Sequence, residues 1–188
     1  MNIDKKYYQV IRENLNNTIQ DTNIHVQNKQ VGKVRDAYFL DDKVLMVSTD
    51  RQSAFDRVLA RIPYKGAVLN LVSAWWFEKT KDQFPNHLIS TPDPNISLVE
   101  KCDVFQVEFV VRGYITGSTE TSLWTVYKNG AKEYCGNPIP SGLKKNQKLG
   151  EPMLTPTTKD KVHDRPVSKD EILELGLMTE EDFDKAAK

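Results

Sequence analysis

Two apolar runs joined by a short acidic turn constrain the fold of this chain more than any other feature of its sequence. The runs are VGKVRDAYFL (31–40) and KVLMVST (43–49), and Asp41 and Asp42 lie between them. Strand-forming runs separated by two turn residues are typical of an antiparallel β-hairpin. We therefore expect an antiparallel sheet in the first part of the chain.

Two helices are predicted in the same part of the chain. Apolar residues recur at helical spacing between Tyr7 and Ile19, which indicates a short amphipathic helix. Residues 49–66 are predicted to be a loop with one further short strand. In VLNLVSAWWFEKT (68–80) an apolar helical face predicts a packed helix with its tryptophans in the core. That face consists of Val68, Leu71, Val72, Trp75 and Trp76.

The second part of the chain opens with DVFQVEFVVRG (103–113), the strongest strand prediction in the sequence. A helix ending near Gly130 follows it. Residues 136–162 combine prolines, glycines and lysines without periodicity, so they are predicted to be irregular. The pattern Ser168–Glu171 is typical of a capping box and predicts a helix start. Thr179 is predicted to begin a last helix.

Composition limits the classes of function. The chain has 188 residues, a net charge of zero and a pI near 6.8, so bulk electrostatics gives no reason to expect nucleic acid or an anionic membrane as a partner. There is no signal-peptide pattern and no apolar run long enough to cross a bilayer. Cys102 and Cys135 lack metal-type spacing, and free thiols are favoured over a disulfide. We expect a cytoplasmic protein of one domain or two small lobes sharing a cleft.

The segment VGKVRD (31–36) is a candidate nucleotide site. Gly32 allows close approach of the backbone to a ligand, and Lys33 and Arg35 would alternate onto one strand face toward phosphates. The segment is not a Walker A loop. The alternative is a strand that happens to carry a glycine and two surface cations.

A dense polar segment, STDRQSAFD (48–56), follows the hairpin. It contains Asp50, Arg51 and Asp56 with small hydroxyl residues among them, and such polar density suits a binding loop at a strand end. A solvated turn is the alternative. Nearby, IPYKG (62–66) places Lys65 beside a glycine, a weak signal by itself.

The segment RGYITGS (112–118) is the most specific candidate. The planar fork of Arg112 can bind a carboxylate or phosphate through two hydrogen bonds. Gly117 and Ser118 would present backbone N–H groups and a hydroxyl to the same anion. The alternative is an arginine paired with a neighbouring acid. His163 and Asp164 further on are open to three interpretations: a catalytic base pair, metal ligands or a satisfied turn.

Taken in order, six segments resemble the successive motifs of the SAICAR synthetase family. They are GKVRD, STDRQSAFD, IPYKGAVLN, VEFVVRGYITGS, EPMLTPTTK and HD. The resemblance implies an α+β fold of two lobes, kinase-like in its ATP-binding half. A small antiparallel ATP-binding lobe would span residues 1–108, and residues 109–188 would form the incomplete first part of a substrate-binding lobe.

The resemblance also implies a reaction and its participants. In this family a ligase of de novo purine biosynthesis joins the carboxylate of CAIR to L-aspartate and forms SAICAR, ADP and phosphate. An acyl phosphate is the expected intermediate, with ATP and Mg²⁺ as cofactors. The expected ATP-binding residues are Gly32, Lys33, Arg35 and Glu108. The expected substrate-binding residues are Ser53, Asp56, Lys65, Arg112, Gly117 and Ser118. The expected catalytic residues are Asp50, His163 and Asp164.

The sequence departs from the family pattern at its end. The family continues to a strand with an Asp-x-Lys-x-Glu-Phe-Gly pattern that supplies carboxylates for Mg²⁺, and residues 165–188 contain no match. The metal carboxylates are therefore expected beyond residue 188, in a chain that is C-terminally truncated. A non-catalytic nucleotide-binding remnant is the rival hypothesis. A kinase-like phosphotransferase is a third, although HRD and DFG patterns are absent. Oligomeric state is not predicted.

Overall fold

The chain divides into two compact units, Met1–Cys102 and Asp103–Lys188. This boundary places Glu108 in the second unit, whereas the sequence analysis placed it at the end of the first. The functions expected of the two units stay predictions. A computed structural model describes residues 4–26, 28–54, 57–159 and 164–188. Among these residues, no helix has the length and apolar character needed to cross a membrane.

The first unit is built on a five-stranded antiparallel sheet. The predicted hairpin is confirmed, because its two strands pair across Asp41 and Asp42 with Phe39 opposite Val44. In spatial order the strands are β1 (Asn28–Val31), β2 (Arg35–Phe39), β3 (Lys43–Ser48), β7 (Ile96–Glu100) and β6 (Leu88–Asp93).

The other elements of the first unit are α1 (Lys5–Glu13), β4 (Arg51–Ala54), β5 (Arg57–Arg61) and α2 (Lys65–Thr80). The first helix is shorter than predicted. It ends at Glu13, and the side-chain amide of the following residue, Asn14, donates to the Val10 carbonyl at 2.9 Å while its backbone has left the helical region. A polar amide that bonds to the local backbone competes with helix continuation.

Helix α2 is confirmed, but its tryptophans are not in the core. Trp75 is 53% exposed and Trp76 56% exposed, so that prediction is wrong. The buried residues of α2 are Gly66 and Asn70. The Asn70 side chain donates to the Pro94 carbonyl at 3.1 Å and accepts from Ser97, whereas the large apolar side chains of the predicted face are exposed. An apolar face on one side of a helix is therefore not sufficient to predict which side packs.

In its described part, the second unit contains antiparallel strand pairs and three helices. Strand β9 pairs with β12, β8 with β13, and β10 with β11. The strands are β8 (Val107–Glu108), β9 (Val111–Ile115), β10 (Glu133–Tyr134), β11 (Asn137–Pro138), β12 (Gln147–Leu154) and β13 (Thr157–Thr158). The helices are α3 (Leu123–Lys128), α4 (Lys169–Glu174) and α5 (Glu180–Ala186).

Two strand predictions in this unit need correction. The run 103–113 forms two short strands, because β8 and β9 pair with different partners. Arg112 is the second residue of β9, which continues to Ile115, so the arginine does not end the strand. The supposedly irregular stretch contains β12, an eight-residue strand. A register shift between Lys148 and Met153 interrupts its alternation and hides it from periodicity.

The helix starts of the second unit are confirmed. Ser168 Oγ accepts from the Glu171 backbone N–H at 3.2 Å, and the Glu171 carboxylate accepts from the Ser168 N–H at 2.8 Å. Thr179 caps α5 by accepting from Asp182 N–H at 3.1 Å. The helix predicted to end near Gly130 ends at Lys128. Local capping chemistry was therefore enough to place these boundaries.

Candidate functional site

The turn between β1 and β2 carries the first candidate site. The Gly32 N–H donates to the Arg35 carbonyl at 2.8 Å, so Lys33 and Val34 occupy a tight turn. A Cβ on Gly32 would lie 2.8 Å from the Arg35 carbonyl oxygen, which explains the glycine. Lys33 lies in this turn and Arg35 begins β2. The prediction that both alternate along one strand face is wrong, although all three candidate residues are exposed.

Arg51 lies beneath this turn and is 5% exposed. Its guanidinium donates to the backbone carbonyls of Gln20 at 2.6 Å, Gly32 at 3.0 Å and Lys33 at 3.3 Å. The same group forms an ion pair of 2.6 Å with Asp36, which is fully buried. Four acceptors of the protein thus surround one cation, two of them carbonyls of the turn. The position of the glycine turn depends on this arginine.

The Asp36 carboxylate is the centre of a buried polar network. Thr22 Oγ1 donates to it at 2.6 Å, and Lys29 Nζ lies 3.1 Å away. Burial alone would raise the pKa of the Asp36 carboxyl. Hydrogen bonds from Arg51, Thr22 and Lys29 more than offset burial and hold that pKa below its ordinary value. The carboxylate is therefore charged in the folded protein at neutral pH.

Asp50 was predicted to be catalytic, and its contacts are those of a structural residue. It is 3% exposed. One carboxylate oxygen accepts from the Ile19 N–H at 2.8 Å, and the other from the Gly66 N–H at 2.9 Å, in the first turn of α2. A carboxylate at this position stabilises unpaired N–H groups and the positive end of the helix dipole. The catalytic role of Asp50 stays a prediction, and these contacts favour a structural one.

The remaining candidates of the first unit are dispersed. The Lys65 ammonium donates to the Arg51 carbonyl at 3.0 Å, so it supports β4 from the start of α2. Ser53 is half-buried in β4, opposite Val58. Asp56 lies outside the described residues. The substrate-binding roles of these three residues stay predictions.

A concavity of about 490 Å³ in the second unit brings together five predicted residues. Arg112 lies on β9, and the residues after that strand contribute two others. Glu108 was expected near adenine, and the structure places it in the same concavity as Arg112. Its ATP-binding role stays a prediction. The five residues are Glu108, Arg112, Gly117, Ser118 and Asp164.

The half-buried Arg112 side chain has one hydrogen-bond partner among the described residues. Its Nε donates to Thr155 Oγ1 at 2.9 Å. No acidic side chain in the described ranges forms an ion pair with it. The structure therefore gives no support there to the alternative of an arginine paired with a neighbouring acid. A guanidinium that borders a concavity and forms no ion pair among the described residues is suited to bind an anionic ligand.

Gly117 shapes the loop that follows β9. Its φ of +110° lies in a region that L side chains rarely adopt. A Cβ there would lie 2.3 Å from Ser122 Cβ, so a larger residue would also clash. The loop brings the exposed Ser118 to the concavity that Arg112 lines. The positive φ and the close approach of Ser122 thus explain why the RGYITGS segment has a glycine just before Ser118.

Lys159 joins two of the predicted acids. Its ammonium lies 2.7 Å from Glu108 Oε2 and 3.2 Å from Asp164 Oδ2. The hydrogen bond with Glu108, followed by that with Asp164, raises the pKa of Lys159 above its ordinary value. His163, the predicted partner of Asp164, lies outside the described residues. The structure therefore shows Asp164 paired with a lysine rather than testing the proposed histidine–aspartate pair.

Sequence reasoning missed three residues that organise these regions. Asp36 was a lone acid inside a strand run, and that anomaly could have indicated a buried ion pair. Lys159 and Thr155 stood within the quoted segment EPMLTPTTK without being selected. No local signal in one sequence identifies the contact of Lys159 with Glu108 or of Thr155 with Arg112, because these partners are 51 and 43 positions apart along the chain.

Cys102 and Cys135 are free thiols, as predicted. Burial raises the pKa of the Cys135 thiol to about 11, so it is protonated at neutral pH. Across the described ranges, no group of three or more His, Cys, Asp or Glu residues could hold a metal ion.

Comparison with known proteins gives a consistent family match. A family model described as SAICAR synthetase matches residues 28–188. The phosphoribosylaminoimidazole-succinocarboxamide synthase of Legionella pneumophila strain Lens is 57% identical over 169 residues, which cover 90% of this chain and 54% of that protein. The chloroplastic enzyme of Vigna aconitifolia is 55% identical, over 95% of this chain and 54% of its own length. The chain thus spans about half the length of these curated relatives.

Solved structures agree with the sequence comparisons. The SAICAR synthase of Saccharomyces cerevisiae in complex with SAICAR has a TM-score of 0.71 and 32% identity, over 84% of this chain and 58% of that one. A type-2 SAICAR synthetase in complex with ADP has a TM-score of 0.66 and 24% identity, and the match covers 85% of this chain and 62% of that one. At this identity the likeness is one of fold alone. The predicted α+β fold class is confirmed by these neighbours.

Proposed function

Because the chain belongs to the SAICAR synthetase family, we propose that it carries binding residues for the ATP-dependent ligation of CAIR to L-aspartate. The products are SAICAR, ADP and phosphate. The observation that carries this proposal is the Arg112 guanidinium, which borders a concavity with Gly117 and Ser118 and has no acidic partner among the described residues. CAIR is anionic, with a phosphate and a carboxylate, and the yeast relative was solved with SAICAR.

In this proposal the two steps of the reaction balance without a further reactant. A CAIR carboxylate oxygen attacks the γ-phosphorus of ATP, and the bond to ADP breaks. The amine of aspartate then attacks the acyl carbon, phosphate leaves, and the amine gives up a proton. Both steps need anions to be positioned and their charge neutralised. Arg112 supplies one fixed positive group for CAIR, and Ser118 supplies a hydroxyl beside it.

We assign the nucleotide to the glycine turn of the first unit. Gly32 leaves the backbone accessible, and the exposed Lys33 and Arg35 flank it with positive charge. Arg51 holds the turn from beneath. The ADP-bound relative supports a nucleotide-binding fold. Mg²⁺ would neutralise the phosphates when bound, and no residue of this chain is assigned to it.

An assay of SAICAR formation from ATP, CAIR and L-aspartate tests the proposal against its rival, the non-catalytic remnant. We expect CAIR and ATP to bind, with turnover if the chain suffices for catalysis. Binding without turnover would support the remnant. Absence of CAIR binding would contradict the site itself. The cytoplasmic location stays a prediction, since the Vigna relative is named chloroplastic.

A further inference from the structure

Thr155 is a buried hydroxyl that no established role explains. The residue follows β12 directly and is 1% exposed. Its Oγ1 accepts a hydrogen bond from Arg112 Nε at 2.9 Å and donates to the Val110 carbonyl at 3.0 Å. The hydroxyl therefore has a fixed direction, because its proton is committed to the carbonyl and its lone pair faces the arginine.

This contact determines which edge of the Arg112 guanidinium is available. A guanidinium binds an anion through two points along one edge, either Nε with one terminal nitrogen or both terminal nitrogens. Because Nε is engaged by Thr155, the edge formed by Nη1 and Nη2 is the one left for a ligand. Held at Nε, the side chain also loses rotational freedom before a ligand arrives, which favours binding.

We propose that Thr155 is a positioning residue that orients Arg112 toward the anionic group of a phosphoribosyl substrate. The inference rests on the function proposed above. Thr155 does not touch the ligand in this account, and its effect passes through the guanidinium. A purely architectural role would instead act through the link between Thr155 and Val110.

Two substitutions separate these roles. Thr155→Val removes the hydroxyl and keeps the shape of the side chain. The Thr155 backbone N–H also donates to the Val110 carbonyl, at 2.8 Å, so that link survives the substitution. Thr155→Ser retains the hydroxyl and is the matched control. Arg112→Ala, alone and with Thr155→Val, completes a double-mutant cycle.

The first measurement is the Kd of CAIR and of ATP for the full chain and each variant by calorimetry. We expect T155V to weaken CAIR binding by about tenfold and to leave ATP binding unchanged, the effect of losing one hydrogen bond to a charged group. T155S should remain within about twofold of the parent chain. In the R112A background T155V should have no additional effect. An equal weakening by T155V with and without Arg112 would overturn the inference, as would an unchanged Kd.

A second measurement needs no ligand. In ¹⁵N NMR, the Arg112 Nε–H signal, assigned by its loss in Arg112→Lys, should exchange slowly with water in the parent chain and in T155S. It should exchange rapidly in T155V. Equal exchange rates in all three proteins would overturn the inference. If R112A itself left CAIR binding unchanged, the proposed function would fail instead, while the NMR result would still report the positioning contact.

Discussion

Two arginines in the two units of this molecule have opposite environments. Arg51 has its acceptors supplied by the protein, a buried carboxylate and three carbonyls. Arg112 has one neutral hydroxyl among the described residues and borders a concavity. Both side chains are cationic at any physiological pH. An arginine whose donor nitrogens are all taken by acceptors of the protein has a structural role, whereas an arginine without an acidic partner is available to a ligand.

The largest expected effect is on stability and concerns Arg51. Arg51→Met would leave Asp36 buried without its closest cation, and breaking a buried ion pair in this way costs about 3–5 kcal/mol of unfolding free energy. Urea denaturation measures the loss. Arg61→Met, on the exposed strand β5, is the control and should change stability by less than about 0.5 kcal/mol. Similar losses in both variants would remove the distinction between Arg51 and an ordinary surface arginine.

Gly117 permits a smaller, matched test in the second unit. Gly117→Ala introduces both backbone strain at φ +110° and a clash with Ser122, whereas Gly130→Ala introduces strain at φ +99° with nothing within 4 Å. We expect Gly130→Ala to cost about 1 kcal/mol and Gly117→Ala roughly twice as much, with weaker CAIR binding in Gly117→Ala alone. Thermal unfolding and calorimetry check both. Equal costs would mean that the loop yields easily and does not shape the site.

The buried carboxylate that pairs with Arg51 can be tested by its response to pH. The pKa of Asp36 is lower in the folded protein than in the unfolded chain, despite burial, because of its hydrogen bonds. Its stabilising contribution is therefore fully present above the unfolded pKa of about 3.9 and is lost as pH falls through the folded value. Urea midpoints measured below about pH 5 should fall less steeply in Asp36→Asn than in the parent chain. Parallel pH profiles would contradict the charged state assigned to Asp36.

The sequence predicted features that depend on local chemistry. The hairpin across Asp41 and Asp42 followed from turn residues, and the capping box at Ser168 followed from a four-residue pattern. Trp75 and Trp76 were misplaced because an apolar helix surface does not specify the side that meets the sheet. Strand β12 was missed because its register shift breaks the alternation.

In the candidate site too, the residues found from sequence are those close together along the chain. Arg112, Gly117 and Ser118 were found because they are close in sequence and their chemistry is specific. Arg51 was noticed only as part of a polar segment, since its partner Asp36 lies on another strand. The contact between Thr155, just after β12, and Arg112 on β9 joins residues 43 positions apart, which only the fold brings together. Long-range hydrogen bonds leave no local pattern in one sequence, so these roles required the structure.

The most direct test of the account is calorimetry of Arg112→Ala with CAIR and with ATP on the same preparation. Loss of charged hydrogen bonds to the substrate predicts CAIR binding weaker by about 10- to 100-fold, with the Kd of ATP unchanged. Lys128→Ala, which removes an exposed cation at the end of α3, should change neither. Equal weakening of CAIR and ATP in Arg112→Ala would contradict the account, because it would make Arg112 a structural residue like Arg51.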